Sequence, residues 1–187
     1  MFESATVKRF YRLTNKLLSL SVCLMFSTTI IFSSMVVAAT DANVIEKADY
    51  VVVKKTERKL YLYRGDEVLK TYRIALGKQP EGHKIREGDS RTPEGIYTLD
   101  WRNPNSRFYR SIHVSYPSKS DNRNARERGD SPGGAIMIHG QPSSWVDKTK
   151  LLFKEDDWTE GCIAVQNHEM DEIWEAVDDG TVIEIIP

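Results

Sequence analysis

Along most of the chain, apolar and polar residues alternate with the period of two that marks half-buried strands. Residues 50–54 and 60–64 are rich in Val, Tyr and Leu, with Leu60-Tyr61-Leu62-Tyr63 the clearest alternation. Gly65-Asp66 reads as a hairpin turn, so residues 68–76 return antiparallel. A polar loop follows over 77–93, punctuated by Gly77, Pro80, Gly82, Gly88 and Pro93. Further strands are predicted at 95–101 and 111–116, at 135–139 as a buried strand bounded by Gly134 and Gly140, at 162–165, and at 182–186. The strongly charged stretch 117–134 reads as a mobile surface loop, and 145–157 as a helical turn or two. The period changes once, to that of a helix. Met170, Ile173, Trp174 and Val177 fall at i, i+3, i+4 and i+7, which predicts a helix over 169–177, capped by Asn167 and followed by Gly180. The fold class expected is mainly β with a few helices.

The N-terminus departs from this pattern. Lys8, Arg9, Arg12 and Lys16 precede 23 uncharged, largely apolar residues, Leu17 to Ala39, that end in Val37-Ala38-Ala39. Positive flank, apolar centre and small-residue exit describe a secretory signal peptide. The same segment is long enough to serve as an uncleaved N-terminal anchor, although its many Ser and Thr residues favour cleavage. Residues 1–39 are therefore signal peptide or anchor, 40–48 a linker and 49–187 one domain, placed outside the cytoplasm. Any membrane contact runs through the N-terminal segment alone. Beyond residue 39 the chain carries 22 Lys and Arg against 26 Asp and Glu. No basic stripe suggests nucleic acid as a partner.

Export makes cysteine usage informative. Cys23 lies in the apolar segment, without the small residue before it that a lipoprotein site needs, so Cys162 stands alone in the domain. A lone exported thiol is buried and inert, paired with another chain, or reactive. Its surroundings bear on the choice. Ile136-Met137-Ile138-His139-Gly140 and Thr159-Glu160-Gly161-Cys162-Ile163 each put a reactive side chain beside glycine at an end of an apolar run. An imidazole can take a thiol proton and return it to a leaving amine. Gly161 lets a carbonyl approach closely, and the amides around Gly161 and Cys162 can donate to an oxyanion. Gly140 leaves the imidazole accessible. His113, His139 and Cys162 can also be drawn as a metal site, but they lack the short paired spacing of zinc ligands. Nothing in the sequence calls for a cofactor.

His139-Gly140, then Thr159-x-Gly161-Cys162-Ile163, resembles the signature of the L,D-transpeptidase (YkuD) catalytic domain family. Arg91-Thr92-Pro93-Glu94-Gly95-Ile96-Tyr97 is similar to a second family element, and the likeness runs from about Tyr50 to the C-terminus. It implies a β-sandwich of mixed sheets and, as partner, the stem peptides of peptidoglycan in the periplasm or cell wall. Cys162 is then the nucleophile and His139 the general base. Gly161 belongs to the oxyanion site, Gly140 orients His139 through its carbonyl, and Thr159, Trp158 and Arg91 contact substrate. The cysteine would form a thioester with a stem tetrapeptide, release D-alanine and pass the acyl group to an amine of another stem or of a wall-anchored lipoprotein. The pattern is closest to the periplasmic branch that includes an amidase, so hydrolysis of stem or lipoprotein–peptidoglycan bonds is a second reading. A non-catalytic wall-binding domain is a third. Two departures matter. Many relatives have arginine two residues after the cysteine, where this chain has Ala164, leaving Arg86 or Arg91 to supply a cation. The stretch between His139 and Cys162 is somewhat long, and its Trp145, Phe153 and Trp158 form either a lid or ordinary packing.

Overall fold

The computed structural model describes residues 46–144 and 157–187. The expected signal or anchor, most of the linker, the helical turns at 145–157 except Asp157, and the lid residues Trp145 and Phe153 lie outside the described residues. Among those described, eight strands and two helices follow one another as β1 (Ala48–Lys54), β2 (Lys59–Arg64), β3 (Glu67–Arg73), β4 (Gly95–Ser106), β5 (Tyr109–Val114), α1 (Lys119–Glu127), β6 (Met137–His139), β7 (Ile163–Ala164), α2 (Asn167–Ala176) and β8 (Val177–Ile186).

All eight strands belong to one mixed sheet in the order β3-β2-β1-β8-β4-β5-β6-β7. Pairs β1–β8 and β6–β7 are parallel and the others antiparallel. The two ends of this order meet. Ala75, just beyond β3, exchanges both backbone hydrogen bonds with Ala164 of β7, at 2.9 and 2.8 Å. The sheet thus turns back on itself, which gives the two facing layers of a sandwich without a break in hydrogen bonding. Between the layers lies the core that the alternation predicts: Val51, Val53, Leu60, Leu62, Leu99, Ile112, Ile138, Ile163 and Ile183 are fully buried, as are Met170 and Ile173 from the inner face of α2.

Several sequence expectations change. The supposed loop 117–134 contains α1, which starts with a capping box in which Ser118 and Asp121 satisfy each other's backbone amides. Its inward side is small and polar. Ala125 is buried, and Asp121 accepts from Tyr97 Oη at 3.2 Å and lies 3.1 Å from His83 Nε2. A helix docked by a carboxylate shows no apolar stripe, so its charge reads as a loop. The cap of α2 is Gln166, one residue before the predicted Asn167, with Glu169 completing a capping box. Gly180 does not follow a helix end but sits within β8 at φ +94°, next to the residues where its pairing with β1 shifts. No helix among the described residues is long and apolar enough to cross a membrane.

Candidate active site

Ile112, Ile138 and Ile163 are register partners across β5, β6 and β7, and all three point into the core. Because strand side chains alternate, the residues on either side of them face the opposite way. Ser111 and His113, Met137 and His139, and Cys162 and Ala164 therefore share one face. His139 is the register partner of Ala164, which puts Cys162, two residues back, immediately before the neighbouring strand β7. Strand register thus sets Cys162 and His139, 23 positions apart in sequence, on one face of adjacent segments of the sheet.

His139 is 2% exposed. Its Nδ1 lies 2.7 Å from Gly140 O, the contact drawn from sequence, which leaves Nε2 as the acceptor. Phe108 packs on the imidazole at 4.6 Å between ring centroids, and Trp158 meets it edge-on at 5.6 Å. This aromatic enclosure withholds water, and burial pulls the imidazole down to about 4, with the charge of Arg107 acting the same way against the Gly140 bond. Gly140 itself is required by a close approach. A Cβ there would lie 2.6 Å from Asn167 Oδ1, which accepts the amide of Gln141 at 2.8 Å. Gln141 Nε2 in turn donates to Val165 O at 2.7 Å, tying the His139 strand end to the start of α2.

Cys162 is half-buried, with Sγ 3.6 Å from the carbonyl of Ala135. Ala135 holds a left-handed φ of +53°, a strained conformation for a residue with a Cβ, and this turns its carbonyl toward the thiol. Burial pushes the thiol up. The Met137 amide and the charges of Lys84 and Arg107 pull the other way without cancelling it. At neutral pH the resting pair is thus a thiol beside a free imidazole.

The turn before Cys162 is held by Thr159. Its Oγ1 accepts from the amide of Gly161 at 3.1 Å and donates to Cys162 O at 2.7 Å. With its hydroxyl spent and the residue 4% exposed, Thr159 shapes the turn rather than facing a groove, in contrast to the sequence expectation. Gly161 has φ +126°, and a Cβ there would lie 2.6 Å from Arg91 O. Its amide is committed to Thr159, while among the described residues the Cys162 amide has no backbone acceptor. Arg91 also departs from expectation. Its carbonyl faces Gly161, but its guanidinium turns to His83 O at 3.4 Å. The Trp158 ring packs against both Phe108 and His139.

Several residues at the site had no local signal in sequence. Arg107 is exposed, lies 4.8 Å over the Phe108 ring and has no carboxylate partner among the described residues. Lys84 is 3% exposed and bonds Asp89 at 2.7 Å. Burial alone would raise the Asp89 carboxyl, but Lys84 and the amides of Ile85, Arg86 and Arg91 outweigh it and hold it down to about 2. Asp89 thereby folds the 77–93 loop. Asp157 accepts from Arg58 Nε and Nη2 at 3.0 and 2.7 Å and from the Leu76 amide at 2.9 Å, anchoring the entry to the Trp158–Cys162 turn. His113 lies on the same face as the thiol but is engaged elsewhere, 2.7 Å from Asp100 Oδ1.

The model of the L,D-transpeptidase catalytic domain (YkuD) matches residues 48–185. YafK of Escherichia coli K12, named as an L,D-transpeptidase, is 33% identical over 135 residues, 68% of this chain and 46% of YafK. The chain thus spans about half the length of the curated relatives it matches. The helical cell shape determining protein Pgp2 of Campylobacter jejuni superposes with TM-score 0.55 at 26% identity, over 75% of this chain and 48% of Pgp2. Bd1075 of Bdellovibrio bacteriovorus shares the fold, with TM-score 0.52 at 24% identity over 78% of this chain and 50% of Bd1075.

Proposed function

The chain belongs to the L,D-transpeptidase catalytic domain (YkuD) family, and from that premise we propose that it is an exported peptidoglycan L,D-transpeptidase with Cys162 as nucleophile and His139 as general base. The observation that carries this reading is a half-buried thiol on the same sheet face as a neutral imidazole, whose Nδ1 is tied to Gly140 O so that Nε2 accepts. In the first half-reaction the thiol proton passes to Nε2 as sulfur attacks the carbonyl of the third stem residue. The Cys162 amide donates to the oxyanion. Gly161 supplies the close backbone approach, since its own amide is held by Thr159. Collapse breaks the C–N bond to D-alanine, whose amine takes the proton from the imidazolium, and a thioester remains. An acceptor amine then attacks the thioester, gives a proton to His139 and releases the thiol.

The thiol is not a thiolate at rest, so substrate must drive the proton transfer by excluding water and placing the oxyanion. Exposed Arg107, beside the aromatic wall of Phe108, His139 and Trp158, is the cation this reading gives to a stem carboxylate. The position of the arginine two residues after the cysteine in many relatives is Ala164, 1% exposed, so the cation in this reading comes from another segment. Wall cross-linking of this kind bears on cell shape, which Pgp2 determines in Campylobacter jejuni. The proposed location is the periplasm or cell wall, reached through the N-terminal segment.

The test is incubation with disaccharide-tetrapeptides and mass spectrometry of the products. D-alanine release with a Cys162 adduct, both abolished in Cys162→Ala, is the expected result. Absence of release and of adduct in the wild type overturns the reading. With water as acceptor the same chemistry hydrolyses stem or lipoprotein–peptidoglycan bonds, and product mass distinguishes the two. Simple alkylation does not separate either from a wall-binding domain with an inert cysteine, because burial slows a thiol in all of them. Acylation of Cys162 by a carbapenem does separate them, since it needs a carbonyl-accepting site.

A further inference from the structure

The face that carries the thiol continues past the catalytic pair. Going outward from Cys162, the row crosses Met137 on β6 and His113 on β5, which are register partners. On β4 the pairing slips: Leu99 faces Val114 and Arg102 faces Ile112, so Asp100 and Trp101 together oppose His113. This β-bulge re-aims two side chains where a regular strand presents one. Asp100 reaches His113 Nδ1 at 2.7 Å, and Trp101 stacks on the same imidazole at 4.9 Å with an interplanar angle of 18°. The imidazole is held on both counts and is 15% exposed, whereas the Asp100 side chain is 41% exposed and Trp101 remains 47% exposed. The ring is kept rigid and half in water next to a carboxylate with one oxygen still unpartnered among the described residues, so a stacking face and a hydrogen-bond acceptor are presented side by side.

We propose that Trp101, with Asp100 and His113 behind it, is a saccharide subsite that takes an amino-sugar ring of the glycan strand to which the reacting stem is attached. The proposal rests on the peptidoglycan reading above. An indole face offers stacking to the C–H face of a pyranose, and an adjacent carboxylate oxygen accepts from ring hydroxyls. The spacing fits the substrate. β4 and β7 are three strand intervals apart, roughly 14 Å at about 4.8 Å each. From the reacting carbonyl, three extended stem residues cover about 10 Å before the sugar begins. A stem laid across β7, β6 and β5 therefore delivers its sugar at the bulge.

Two measurements on the full domain decide it. Tryptophan fluorescence is titrated with the β-1,4-linked N-acetylglucosamine tetramer, a probe without any peptide. A saturable change in the wild type that is lost in Trp101→Ala is expected. No change, or one that persists in Trp101→Ala, overturns the subsite. Donor kinetics are then compared for the disaccharide-tetrapeptide and the free tetrapeptide. The wild type should favour the sugar-bearing donor by about tenfold through KM, the order expected of one aromatic stack. Trp101→Ala should bring the ratio of the two KM values close to one, and Trp101→Phe should restore most of it. A wild type that does not discriminate, or a loss in Trp101→Ala that falls equally on both donors, refutes the proposal. Absence of turnover with either donor refutes the transpeptidase reading instead, and the titration still decides the sugar site.

Discussion

If burial keeps His139 unprotonated, the same burial makes the domain acid-sensitive by an amount that one substitution reveals. The imidazole titrates at about 4 in the folded protein against 6.5 when free of the fold. Between those values the unfolded chain holds the additional proton, so stability rises with pH through this window and is lost as pH falls toward 4. The full difference corresponds to about 3.4 kcal/mol at about 1.36 kcal/mol per pH unit. Between pH 7 and pH 4.5, linkage gives about 2.4 kcal/mol of that loss. His139→Gln keeps a neutral polar side chain of similar length and removes the titration. Urea unfolding of both proteins at pH 7.0 and 4.5 isolates the effect, because the carboxylates titrate alike in the two and cancel in the double difference. The wild type should lose about 2.4 kcal/mol more than the variant on acidification. Equal losses would show that Phe108 and Trp158 do not dehydrate the imidazole, and the free base at neutral pH would lose its physical support.

Gly161→Ala forces a Cβ to within 2.6 Å of Arg91 O at φ +126°, and should cost about 3 kcal/mol in urea unfolding. It should also displace Cys162, abolishing carbapenem acylation even in the fraction that remains folded. Asp157→Asn leaves Arg58, 29% exposed at its side chain, without its carboxylate partner, and should destabilise by about 2 kcal/mol; a melting temperature equal to wild type would dismiss the anchor. Arg107→Ala should raise KM for tetrapeptide donors by about tenfold, with Arg107→Lys recovering part of it, as expected for a charge-assisted carboxylate contact. A change confined to kcat would place Arg107 outside substrate recognition.

The sequence alone determined what depends on neighbours within a few residues. Alternation at 50–54 and 60–64 specifies strands with one buried face. The 3.6-residue period at Met170, Ile173 and Trp174 specifies α2, whereas Val177, the fourth residue of the pattern, is extended and already begins β8. Glycine beside His139 and Cys162 marks places where the backbone must come close to something. The tertiary structure decided what depends on register and on distant segments. Helix α1 was hidden because its docking is polar, through Asp121 to Tyr97 and His83, and periodicity detects only apolar docking. Phe108 and Arg107 reach the site from the β4–β5 turn, and Lys84 from the 77–93 loop, by packing that no spacing encodes. Arg91 and Thr159 stand in recognisable motifs, yet their side chains serve the loop and the turn, because a motif names a position and not the direction in which its side chain leaves the backbone. The pairing of Cys162 with His139 combines both kinds of information. Each residue was visible from its own glycine, but only the parallel registry of β6 and β7 puts thiol and imidazole on one face, and only the burial around them sets which one holds the proton.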